Sequence, residues 1–434
     1  MSHRCRTILL LGASGFIGSA LLTRLKQDGY FVTGVVRDPK AAARLPLDRA
    51  IGLDLRSATG ADKWLDALSG VDAVINCAGV LQDGARDSTD AVHVDAPAAL
   101  YEACERLGIS RVIHFSALNA EQKPLSEFSE SKRQIEHILA ASRLDWVILR
   151  PSVVVGHNAY GGSALFRGLA ALPLSVRLPR AGRISVVQLD DVVETVIRLL
   201  RPDSGGRIAL DLAGPRPLTF DAIVTRYRAW LGWKPARPVT VPSAAMRVGS
   251  KFGDLAGRLG WRPPVRSTGT SEMLRGAEGD PAGWNRVTAI VPRSLEQALA
   301  AEPASVQERW FARLYFLRPL AIVIFALFWI TTGIISLTIG WDIGVSYMQE
   351  SGAGALSQPS VIAGALADIA IGLAILYRPT TRWGLIGGVA ITLFYLIAGT
   401  IVLPRLWADP LGPMLKIWPI LALNFILLAI LEER

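Results

Sequence analysis

The sequence predicts an α/β domain built on a doubly wound parallel sheet, extended by a smaller region and followed by an all-α bundle of four transmembrane helices. Three observations carry this reading. Strand-like and helix-like segments alternate six times in the first 150 of the 434 residues, the pattern of parallel strands joined by crossover helices. The first strand, Thr7-Ile8-Leu9-Leu10-Leu11, is an unbroken apolar run, as expected where both faces of a sheet are covered. Four apolar stretches near bilayer-spanning length close the chain. The expected boundaries are residues 1–150 for the sheet core, 151–310 for its extension and 311–434 for the bundle.

The first strand stops at Gly12, and Gly15 and Gly18 follow at three-residue steps before a helix over Phe16–Gln27. Gly12 lets the chain reverse tightly, Gly15 lets backbone approach a pyrophosphate, and Gly18 lets helix and strand pack closely. The helix start then aims unsatisfied N–H groups at phosphate oxygens. This turn predicts a dinucleotide site. A second strand, Phe31–Val36, ends at Arg37 with Asp38 behind it. An arginine at that strand end suits a 2′-phosphate and an acidic residue suits ribose hydroxyls, so NADP(H) is favoured and NAD(H) stays open through Asp38.

A third strand at residues 50–53 runs into Asp54-Leu55, and a fourth at 71–75 into Asn76-Cys77-Ala78-Gly79, where small residues let a cofactor lie on backbone. A helix over Ala96–Leu107, a strand over Arg111–Phe115 ending at Ser116, a helix over 126–142 and a strand over 146–149 complete the core. In the extension, the turn-rich segment 156–163 is expected as a loop over the cofactor, and 173–182 as irregular chain. A strand at 184–187, a helix at 190–200 capped by Asp190, a strand at Ile208–Leu212 and an amphipathic helix at 219–232 follow. Segments 235–242 and 262–270 show no period, and Trp284 and Trp310 suggest an approach to a membrane interface.

Taken in order, Gly12-Ala13-Ser14-Gly15-Phe16-Ile17-Gly18, Asp54-Leu55, Asn76-Cys77-Ala78-Gly79, Ser116, Lys132 and Arg150-Pro151 resemble the short-chain dehydrogenase/reductase superfamily. The likeness is to its atypical, extended branch, which includes NmrA-like proteins and the accessory nucleotide-binding subunit of respiratory complex I, and it covers about 300 residues. The resemblance implies that Gly12, Ser14, Gly15, Phe16, Ile17 and Gly18 hold the pyrophosphate and Arg37 the adenosine end. It implies that Asp54 and Leu55 flank adenine and that Asn76, Cys77, Ala78 and Gly79 line the pocket. Lys132 then binds the nicotinamide ribose, and Ser116 contacts substrate.

One position departs from the family pattern. Four residues before Lys132, where the superfamily carries a tyrosine, stands Phe128, and His93 replaces a common asparagine. A phenyl ring has no proton to give, and Ser129 and Ser131 are expected to face elsewhere on the helix. Three readings follow: Lys132 acts as the acid or base with Ser116 beside it, a quinone-like acceptor takes its proton from another source, or the domain binds the dinucleotide without chemistry.

The membrane part is read from runs at 320–339, 361–377, 384–403 and 415–431, broken at Pro359, Pro379, Pro404 and Pro413. The net charge of +9 comes with no basic block carrying interleaved aromatics, which speaks against nucleic acid; many arginines instead flank the apolar runs. Arg309, Arg313, Arg318, Arg378, Arg382 and Arg434 fall on one side, with Arg405 and Lys416 as exceptions, so both termini are expected in the cytoplasm of a multi-pass inner-membrane protein. Within the spans, Asp368 is a functional candidate or a helix–helix hydrogen bond, and Asn424 the main amide. Placement and span count resemble the DoxX-like four-helix family, some members of which are associated with quinone-linked redox chemistry. Expected partners are therefore the lipid bilayer, a quinone or other lipophilic molecule, and subunits of a membrane complex. Cys5, Cys77 and Cys104 form neither a metal spacing nor a disulfide framework, which fits a reducing cytoplasm. No signal peptide is expected before the first strand.

Overall fold

A computed structural model describes residues 7–84, 88–118, 126–201, 204–263 and 265–431. Cys5 and Arg434 lie outside the described residues. The chain divides into two compact units, Met1–Asp254 with Pro263–Ala312, and Leu255–Arg262 with Arg313–Arg434.

The first unit is built on β1 (Thr7–Leu11), α1 (Phe16–Gln27), β2 (Phe31–Val36), β3 (Arg49–Gly52), a short α2 (Leu65–Leu68), β4 (Ala73–Asn76), α3 (Ala96–Leu107), β5 (Arg111–Phe115), α4 (Glu127–Ala141) and β6 (Asp145–Pro151). There follow β7 (Val154–Val155), α5 (Gly161–Ala171), β8 (Leu174–Arg177), β9 (Val187–Gln188), α6 (Leu189–Leu199), β10 (Ile208–Leu212), α7 (Phe220–Trp230), β11 (Arg237–Thr240), α8 (Ser243–Arg258), which from Leu255 on belongs to the second unit, α9 (Ser267–Arg275), α10 (Ala282–Thr288) and α11 (Leu295–Ala301). Seven strands form one sheet in the order β10-β6-β5-β4-β1-β2-β3. Every pairing in it is parallel. The central strand shows why the apolar run is continuous: Ile8 and Leu10 point into one core with α1, α6 and α10, while Leu9 and Leu11 point into the other with α3 and α4.

Three expectations in the extension are corrected. Asp190 does not cap α6; the helix begins one residue earlier after Gln188, and Asp190 pairs with Arg293 at 3.1 Å. The stretches expected to lack regular structure contain β8, β11 and the start of α9. Trp284 lies at no interface. It is wholly buried on α10 in the sheet core, with its indole N–H donating to Thr195 Oγ1 at 2.9 Å.

The second unit holds α12 (Val306–Leu337), which begins in the first unit, α13 (Trp341–Glu350), α14 (Ser357–Leu376), α15 (Thr381–Val402) and α16 (Ile417–Ala429). Three helices, not four, are long and apolar enough to span a bilayer among the described residues: α12, α14 with the turn before it, and α15. At 1.5 Å per residue α16 reaches only about 20 Å against a hydrocarbon core of about 30 Å. Turn chemistry explains the late start, since Pro410 and Pro413 flank Gly412 at φ +59°. Pro359 does not break a helix either. It sits in the first turn of α14, where its missing N–H costs no hydrogen bond. Arg309, Arg313 and Arg318 lie inside α12, and α13 occupies what reads as a plain connection.

Close helix approach depends on small residues. A Cβ on Gly372 would stand 2.6 Å from Ala326 O, and one on Gly333 2.4 Å from Ala365 O, so α12 and α14 meet backbone to backbone. Asp368 is buried and accepts from the Tyr395 hydroxyl at 3.1 Å, an α14–α15 hydrogen bond.

Trp284→Ala is expected to destabilise the first unit by about 3–5 kcal/mol, read as a lower midpoint in thermal or denaturant unfolding. A loss under about 1 kcal/mol, usual for a surface site, would remove Trp284 from the core.

Candidate functional site

Five consecutive positions in the sheet deliver their C-terminal ends to one edge: Gly12 after β1, Arg37 after β2, Asp54 near the end of β3, Cys77 after β4 and Ser116 after β5. At this edge parallel α/β sheets receive ligands.

The glycine turn has almost no free space on its inner side. Gly12 has φ +76°, and a Cβ there would lie 2.9 Å from the backbone of Cys77 and Ala78. A Cβ on Gly18 would be 2.0 Å from Gly12 O, so no other residue lets α1 start this close to β1. The Gly15 N–H donates to Gly12 O at 2.8 Å, and a Cβ on Gly15 would meet nothing else within 4 Å, so its outer side is open. Gly15 caps α1 without a side-chain acceptor, which leaves first-turn N–H groups for an anion. Ser14 is exposed on the turn, Ile17 packs partly into the core, and the Phe16 ring stacks on Tyr160 at 5.7 Å. Residues 156–160 thus lie against the start of α1, while 161–163 open α5 and are no loop; Arg167 holds the segment by donating to Gly156 O at 2.9 Å and His157 O at 2.7 Å.

At the next strand ends Asp54 chelates Arg56, with contacts of 2.6 and 3.0 Å. The Arg56 hydrogen bond holds the Asp54 carboxyl below the usual carboxylate range, and the charge of Arg37 adds a smaller pull. Arg56 is a second guanidinium at this sheet edge beside Arg37, one that no sequence motif marks. Leu55 is half-buried against the second core.

The turn after β4 is locked from within. Asn76 is fully buried; its Oδ1 accepts from Ala78 N–H at 3.1 Å, and its Nδ2 donates to Tyr101 Oη at 3.3 Å. Cys77 is half-buried, and burial pushes its thiol up. Beside this turn stand two basic side chains. A Cβ on Gly79 would touch His93 Nε2 at 3.6 Å and Lys132 Nζ at 3.8 Å.

Lys132 is a buried residue of α4, not a surface one. It is 4% exposed, donates to Phe115 O at 2.9 Å, and burial pushes it down to about 8 against a partial upward pull from Glu136. Glu136, one turn on, is fixed by Arg150 Nε at 3.0 and 3.1 Å. Ser116 Oγ is buried without a hydrogen-bond partner among the described residues.

His93 enters the site through a π-helical turn, Ala91–Asp95, ahead of α3. Its Nε2 accepts from Val80 N–H at 3.0 Å, and its Nδ1 lies 2.8 Å from Ser131 Oγ. Ser131 Oγ donates to Phe128 O at 3.0 Å, so the network assigns the proton of neutral His93 to Nδ1. Burial and the Lys132 charge push His93 well below its ordinary value. Ser131 thus does not face away, contrary to the helical-face expectation, whereas Ser129 does, toward Glu272 and Arg275. The Phe128 ring meets the edge of His93 at 5.6 Å. Phe128 thus makes an apolar contact and brings no proton-donating group to this position.

Residues 12–169 match the NAD(P)H-binding family model and residues 326–425 the DoxX-like family. A Mycobacterium tuberculosis protein is 29% identical over 282 residues, 64% of this chain but 28% of that relative, so the chain spans just over a quarter of its length. The ceramide reductase of Caulobacter vibrioides is 25% identical over 278 residues, 63% of this chain and 86% of that protein. The sterol demethylase protein B of Methylococcus capsulatus is 28% identical over 333 residues, 70% and 99% of the two chains. Among solved structures, the Bordetella bronchiseptica enzyme WbmG in complex with NAD superposes with a TM-score of 0.55 at 14% identity, over 72% of this chain and 97% of that one, a likeness of fold. The chain thus joins a region that matches the NAD(P)H-binding family, with the fold seen in WbmG, to a region that matches the DoxX-like family.

Proposed function

We propose that the protein is a membrane-anchored NAD(P)H-dependent oxidoreductase that reduces a quinone or other carbonyl group of a lipophilic acceptor, with Lys132 as proton donor where the family uses tyrosine. The observation that carries this reading is the buried Lys132 ammonium beside Gly79, pushed down to about 8. A proton donor works best when its pKa lies near the working pH. The bound nicotinamide supplies the hydride.

In this reading Gly12, Ser14, Gly15, Phe16, Ile17 and Gly18 hold the pyrophosphate, and Arg37 with Arg56, Asp54 and Leu55 receives the adenosine end. Two guanidiniums there favour NADP(H). Cys77, Ala78 and Gly79 support the nicotinamide. Of the three Lys132 protons one is committed to Phe115 O. The other two serve the nicotinamide ribose and the acceptor oxygen, and Ser116 Oγ donates to that same oxygen. The names of two relatives, a ceramide reductase and a sterol demethylase protein, support a lipophilic substrate. Arginines at 309, 313, 318, 378 and 382 favour a cytoplasmic nucleotide domain.

Phe128 supports a second reading, a nucleotide-responsive subunit of a membrane complex without chemistry of its own. It predicts saturable cofactor binding, no turnover and co-purifying partners.

Full-length protein in lipid nanodiscs with NADPH and short-chain quinones or lipid ketones should turn over, and Lys132→Ala should not. Reduction needs protonated Lys132, so its rate should be level below pH 8 and fall roughly tenfold per unit above it; the reverse oxidation should rise over the same range. A Lys132→Met variant with the unchanged pH profile would end the acid role. Arg37→Ala should raise the Kd for NADPH about 10- to 100-fold, the worth of one charge-assisted hydrogen bond, with little change for NADH. Equal losses for both coenzymes would remove the 2′-phosphate assignment.

A further inference from the structure

Helix α8 carries its large apolar residues on the wrong side for a core helix. Val248, Phe252 and Leu255 fall on one stripe at steps of four and three, and they are 55%, 69% and 52% exposed. The side turned toward the protein is made of small residues. Ser250 is buried, and Gly253 is so close to its neighbour that a Cβ would stand 1.8 Å from Val265 O. Along one flank of the apolar stripe runs a basic row, Arg247, Lys251 and Arg258, all exposed. A helix with an outward apolar face and a cationic flank has the build of one lying in a lipid–water interface, and an exposed apolar stripe of this kind marks an interaction surface.

The C-terminal end of α8 says which surface. Leu255–Arg262 belongs to the compact unit of the apolar helices. There Trp261 Nε1 donates to Leu376 O at 2.8 Å, the Arg378 guanidinium lies 5.4 Å over the Trp261 ring, and Arg378 N–H donates to Leu259 O at 3.0 Å. The partners are the last residues of α14 and the connection to α15, where the spans leave the hydrocarbon. An interfacial tryptophan with arginine beside it is the usual furniture of that depth.

We propose that α8 is an interfacial membrane helix that inserts Val248, Phe252 and Leu255 among acyl chains and sets Arg247, Lys251 and Arg258 against anionic headgroups. The assignment rests on the reading of α12, α14 and α15 as membrane spans. Within the first unit, Asp254 on the polar side of α8 accepts from Gln82 Nε2 at 3.1 Å, which fixes the roll of the helix about its axis.

The test uses full-length protein in proteoliposomes containing phosphatidylglycerol, with photo-crosslinking benzoylphenylalanine placed one position at a time. Phe252→benzoylphenylalanine should give lipid adducts by mass spectrometry, as should Phe394→benzoylphenylalanine on α15, while Phe31→benzoylphenylalanine on the sheet should give none. Arg247→Glu with Lys251→Glu should lower the yield at 252 and leave that at 394 unchanged. Lipid adducts at 394 with none at 252, or protein adducts in place of lipid at 252, overturn the α8 assignment. No lipid adduct at either position overturns the reading of the spans and this proposal with it.

Discussion

The absence of room for a single carbon atom at Gly18 fixes most of the nucleotide site. Because a Cβ there would sit 2.0 Å from Gly12 O, α1 starts directly on the end of β1, and its uncapped first turn opens onto the sheet edge. Gly12 in turn is pressed against Cys77 and Ala78, so the turn after β4 takes its place from the first turn. Both sheet faces are sealed by helices, as the two cores sharing alternate residues of β1 show. The strand ends are therefore the open border of the sheet, and polar chemistry gathers there because burial elsewhere would strand unsatisfied groups.

Within that border the surroundings separate the ionisable groups by their protonation behaviour. Burial and the Lys132 charge hold His93 neutral, burial chiefly keeps His114 neutral, and burial keeps the Cys77 thiol protonated. Lys132 is left near 8, where its proton can be given and recovered. Burying an ammonium is costly unless partners offset it. Phe115 O and Glu136 do so, the latter held by Arg150. Phe128 and His93 form one packed unit, because the two rings meet edge to face and the histidine ties Val80 to Ser131.

Much of this was legible in order along the chain. The glycine spacing, the strand ends at Arg37, Cys77 and Ser116, and helices α1 and α3 all follow from local rules of period and turn chemistry. What was not legible depends on partners distant in sequence. Trp284 reads as an interfacial tryptophan until α6 supplies Thr195 for its N–H. Asp190 looks like a cap because it heads an acidic pair, yet Arg293, about a hundred residues on, claims it. Ser131 seems to face away on an ideal wheel; the π-helical turn that swings His93 toward it leaves no mark in the local pattern.

Helices α6 and α8 show the same limit more sharply. Both are strongly amphipathic by sequence, and periodicity alone would bury the apolar face of each. In α6 that happens: Leu189, Val192, Val193, Val196 and Ile197 lie in the sheet core. In α8 the small residues Ser250 and Gly253 face inward, since the backbone at Val265 approaches too closely for anything larger, and the bulky residues are turned out. A period gives the width of an apolar stripe and is silent on whether protein or lipid covers it. The size of the residues on the opposite face decides, because only small ones permit the close backbone approach that leaves the large ones outside.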